Sequence, residues 1–149
     1  MKGWLVRLQT GVVLLSMSGS VFAEKDQEIP VPLLNAGMAY QKKGAAQFLP
    51  ALIKGSRLQF TDDVSLSQAN DMLRAIEDNY GHYIGIELIC AIPVSESTRV
   101  VYFVINYERG PLYGVADLYK TEQGEIVTNT NVNTEWNQIM SPEILAKKR

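Results

Sequence analysis

The stretch NYERGPLYGVADLY, residues 106–119, decides the fold. Gly110-Pro111 is turn chemistry, and the residues on either side are rich in aromatic and β-branched side chains. The spacing predicts two strands folded back on each other. The same pattern continues outward in both directions. YIGIELICAIPV and TRVVYFVINYER lie before the turn, and LYGVADLYKTE and EIVTNTNVNTEW lie after it. The separators SES, GP and QG are too short for a crossover, so all four strands must run antiparallel to their neighbours.

Upstream the period changes from two to that of a helix. In SLSQANDMLRAIEDNYG, Leu66, Ala69, Leu73, Ile76 and Tyr80 step by three and four along one stripe. Ser65 followed by Gln68 reads as a capping box, and Gly81 as the left-handed residue that ends the helix. From Pro32, helical spacing runs through Leu33, Gly37, Tyr40 and Gly44, then Phe48, Leu49, Leu52 and Ile53. Pro50 lacks an amide proton, so this run is expected as two short helices or one bent helix ending near Gly55. The expectation is one α+β domain over residues 32–140. Two or three N-terminal helices pack on a curved four-stranded antiparallel meander, followed by a flexible tail over residues 141–149.

The first 23 residues stand apart. Lys2 and Arg7 precede the short apolar run GVVLLSM, and SGSVFA places Val21 and Ala23 where a signal peptidase reads. This is the pattern of a secretory signal peptide, its apolar run too short to span a bilayer. Residues 24–31 then form a loose leader, and the expected location is secreted or periplasmic, with no membrane span after cleavage. Losing Lys2 and Arg7 takes the formal charge from −2 to −4, an acidic balance with no footprint for nucleic acid. The single Cys90 precludes an internal disulfide, and the single His82 gives no metal site of the imidazole kind. GSRLQF lacks the lysine and spacing of a phosphate loop. No metal and no cofactor is expected.

Counting outward from minimal turns puts Ile86, Leu88, Cys90, Val100, Tyr102, Val104 and Asn106 on one sheet face with Tyr113, Val115, Asp117 and Tyr119. The fourth strand adds Thr128, Thr130, Val132 and Trp136 to it. A single bulge would exchange the faces beyond it. On this map Asp117 sits among Leu88, Val104 and Val115, where lost hydration would suit a general base, with Tyr102 or Tyr119 assisting at an oxyanion. The alternative is a structural Asp117, hydrogen-bonded by Tyr or Thr or reaching solvent at the rim. Asn106, Tyr113, Val104 and Trp136 are the candidate ligand-binding residues of the same face. TNTNVNTEW presents an asparagine ladder to a partner, or a solvated strand face.

The order of elements resembles the nuclear transport factor two-like (cystatin-like) α+β cone. DNYGHYIGIELI looks like the passage from the third helix into the sheet, and YERGPLYGVADLY like a central hairpin. The resemblance implies helices packed inside a bent sheet around a cavity. It also implies a function among isomerases and dehydratases, ligand binders, or dimerisation and assembly modules. One histidine and fewer strands separate this chain from the enzymatic members. The expected function is an exported, non-enzymatic domain that binds a small apolar ligand or a protein partner through the concave sheet face, with a homodimer as a further option. The alternative is a small cavity isomerase or hydro-lyase with Asp117 as its base.

Overall fold

Proline opens the first helix and lysines close it. Pro32 lies in the first turn of α1 (Val31–Lys43), where a missing amide costs nothing, and Lys42 and Lys43 face the negative end of the helix dipole. The computed structural model describes residues 28–60 and 63–146. The signal-peptide assignment, most of the leader and the last three residues of the tail lie outside them. After a 3-10 turn comes α2 (Phe48–Leu52), which keeps Pro50 in its first turn, so the expected break falls before it, at Gly44.

The long helix α3 (Asp63–Tyr80) begins before Ser65, which is therefore inside the helix rather than its cap. It ends as expected. Gly81 has φ +84°, and its amide closes on the Glu77 carbonyl at 2.8 Å. The sheet follows as β1 (Tyr83–Pro93), β2 (Thr98–Tyr107), β3 (Gly110–Thr121) and β4 (Gly124–Asn133), paired antiparallel in chain order. A short helix α4 (Pro142–Ala146) stands where the sequence suggested only a flexible tail. Among the described residues, no helix is long and apolar enough to cross a membrane.

The core lies between the helices and one sheet face. Leu33, Phe48, Leu52 and Leu73 from the helices are buried with Val101, Phe103 and Ile105 of β2, Leu112 and Leu118 of β3, and Val127 of β4. Each such side chain contributes about 1.5–3 kcal/mol by leaving water. Gly114 sits opposite Phe103 in the ladder, and any Cβ there would collide with the Phe103 ring. The absent side chain makes room for the largest one in the centre of the sheet.

The register corrects the face map in its outer strands. The β2–β3 turn is Glu108-Arg109 rather than Gly110-Pro111, so Val104 pairs with Tyr113 and the partner of Asp117 becomes Val100 instead of Val104. Moving a turn by two residues preserves parity, so the central strands keep their expected faces. Bulges do not preserve it. The β1–β2 register shifts between Leu88 and Cys90, which turns Leu88 and Ile86 onto the helix-covered face, opposite Phe103 and Ile105. A second shift between Asp117 and Leu118 pairs Asp117 with Asn129 and sends Thr130 and Val132 to the covered face, opposite Ala116 and Gly114. β4 stops at Asn133, so Trp136 belongs to a 3-10 turn beyond the sheet.

Candidate functional site

Five of the sequence-derived candidates share the sheet face turned away from the core. Tyr102, Val104 and Asn106 project from β2, and Tyr113 and Asp117 from β3. Tyr119 lies at the end of that row, 44 % exposed, and Trp136 stands apart from the strands. Val104, in the middle of the row, is 9 % exposed. Both carboxylates here are engaged by asparagine amides. Asn106 donates to Glu87 at 2.8 Å, and Asn129 donates to Asp117 at 3.2 Å.

Asp117 is not the buried acid of the sequence map. It is half-exposed, Leu88 is on the other face, and Asp117 lines neither of the two cavities described below. Tyr102 does sit near it. Burial first, then the Cys90 and Asp117 side chains, push the Tyr102 phenol above its ordinary range. It remains a neutral hydroxyl. His82 is exposed; its backbone amide donates to the Glu108 carboxylate at 3.2 Å, and its carbonyl accepts from the Glu108 amide at 3.1 Å. Among the described residues no three His, Cys, Asp or Glu side chains gather as a metal-binding group.

The larger cavity is on the opposite side of the sheet. A groove of about 390 Å³ runs between the first half of α3 and β4. Phe48 and Leu49 of α2, Ala69, Met72 and Leu73 of α3, and Val132 of β4 give it apolar walls. Ser65, Gln68, Thr130 and Asn131 complete the lining, and no charged side chain lines it. Volume and lining match a ligand site at the small end of the usual 300–1,000 Å³ range, roughly. Counting strand faces missed this groove, since the β4 bulge turns Val132 inward. One signal was present in α3. Ala69 is the smallest member of a stripe otherwise made of Leu, Ile and Tyr, and a short side chain there leaves space beneath the helix.

A second feature went unread. Tyr40 of α1 stacks on Tyr83 at 4.4 Å and meets Phe48 and Tyr107 edge-on. Its hydroxyl donates to Glu77 at 3.1 Å and lies 3.3 Å from the Tyr107 hydroxyl. Burial, the bond to Tyr107 and the nearby Glu77 charge hold the Tyr40 phenol far above its ordinary range, and burial raises Tyr83 and Tyr107 as well. This cluster ties α1, α3, β1 and β2 together. Beside it, Leu33, Met38, Tyr83 and Ile86 enclose a smaller hollow of about 150 Å³.

Comparisons of the chain with protein-family models, curated proteins and solved structures return no match.

Proposed function

We propose that this is an exported, non-enzymatic binding domain of the nuclear transport factor two-like kind, which receives an apolar group in the groove between α3 and β4. The observation that carries this reading is the groove itself. It is about 390 Å³ of largely apolar space beside the sheet, with no charged side chain in its lining. The engaged, half-exposed Asp117 favours binding over catalysis, because a general base needs a pocket in which a substrate can meet it. Export rests on the pattern of the first 23 residues, and N-terminal sequencing of protein recovered outside the cytoplasm tests it, with Glu24 the expected first residue.

Titration with the uncharged fluorophore Nile red tests the site. The expected result is saturable, blue-shifted emission, with affinity falling at least about tenfold in Ala69→Trp, which fills the groove, and unchanged in Asp117→Asn. Absence of saturable binding, or equal binding by the Ala69→Trp protein, would contradict the reading.

A further inference from the structure

The sheet has two edges, and they are treated differently. On β1, register shifts between Tyr83 and Gly85 and between Leu88 and Cys90 break the line of backbone groups, and Pro93 ends it. Bulges and proline are the devices by which natural sheets block a further strand. On β4 the strand beyond the bulge pairs regularly with β3 from Asn129 to Asn133 and contains neither proline nor charge. Among the described residues, no backbone hydrogen bond outside the β3 ladder reaches residues 129–133. Thr130, Asn131 and Val132 of this same segment form one wall of the groove.

We infer that the occupant of the groove is an extended, uncharged segment of another polypeptide, which adds to the free edge of β4 and sets an apolar side chain against Ala69 and Val132. The inference rests on the groove being a binding site, and it names the class of partner. Two features select a polypeptide over a free lipid or small acid. Open strand amides and carbonyls ask for matching groups at strand spacing, which a main chain supplies. The uncharged lining offers no counter-ion for an acidic headgroup, whereas a main chain is neutral. The modest volume suits one or two anchoring side chains, and alternate residues of an added strand point to the same side.

The test is selection of random linear dodecapeptides displayed on phage against the purified protein, followed by amide hydrogen exchange with a selected peptide bound. The expected peptides are uncharged, with apolar residues at alternate positions, and their binding slows outward-facing amides of residues 129–133 at least about tenfold. Methylating alternate backbone amides of such a peptide should weaken it by at least about tenfold, because added strands bind through main-chain hydrogen bonds. Thr130→Pro and Asn131→Pro give a second arm. Neighbouring strand residues send their amides to opposite sides, so one variant breaks the β3 ladder while the other keeps the fold and loses only an outward donor. The folded variant should lose the peptide.

Peptides that bind without protecting β4, or that tolerate methylation, overturn the inference. So does protection of β4 in the absence of peptide together with a dimer in sedimentation, which would make a second copy the occupant. Nile red binding with no selectable peptide sinks the strand-addition inference and leaves the groove reading standing. Failure of both sinks both.

Discussion

The two faces of the sheet are built from alternate residues of the same strands and do different things. Phe103 and Val104 are neighbours in β2. The ring of Phe103 is fully buried under the helices in the space left by Gly114, while Val104 lies on the opposite face, outside the main core cluster. The helix-covered face holds the core and, at its β4 margin, the groove. The open face holds a row of tyrosine, valine and asparagine with two carboxylates, each held by an amide. A ladder of alternating residues therefore separates stability from surface, and only bulges move a residue between the two.

The sharpest way to break that contrast is to truncate the two neighbours. Phe103→Ala should cost about 3–5 kcal/mol in a denaturant titration, as expected for a large buried ring, and Val104→Ala about 1 kcal/mol. Similar losses from both would mean that the open face is covered by something else. Next in size is Tyr40→Phe. Removing the hydroxyl that donates to Glu77 and contacts Tyr107 should cost about 1–3 kcal/mol, because it leaves the part-buried Glu77 and the buried Tyr107 hydroxyl without that donor.

The same cluster fixes a pH dependence. The folded phenols of Tyr40, Tyr83 and Tyr107 are raised above the unfolded value of about 10, so their contribution is present in full below that pH. It is lost as pH climbs past it, because the unfolded chain ionises first. Stability measured from pH 8 to 11 should therefore fall at the alkaline end, and less steeply in Tyr40→Phe. At the small end, Asp117→Asn should change stability by no more than about 0.5 kcal/mol, as for a surface substitution. A loss several times larger would show Asp117 to be a structural anchor of the open face.

The sequence announced some of this and concealed the rest for a physical reason. Turn residues and the shift of period from α3 to β1 were enough for the helices, the four strands and their antiparallel order. Placing the turn at Gly110-Pro111 keeps every side chain on its own face but slides the pairing, which sets Asp117 against Val104 instead of Val100. The bulges were decisive and silent. Ile89, at the register break of β1, is apolar like its neighbours, and Thr128 sits in a run of alternating Thr and Asn that reads equally well in either phase. The β1 bulge therefore takes Leu88 away from Asp117, and the β4 bulge turns Val132 towards the groove it lines. The tyrosine cluster joins residues far apart in sequence, so no local pattern could mark it.

One measurement bears most directly on where this protein binds. Backbone and side-chain chemical shifts followed through a Nile red titration should move at Gln68, Ala69, Met72 and Val132, which line the groove, and stay fixed at Tyr102, Val104 and Tyr113 on the open face. Shifts concentrated instead at Tyr102, Val104 and Tyr113, with the α3 residues unmoved, would place binding on the face turned away from the core and contradict the account.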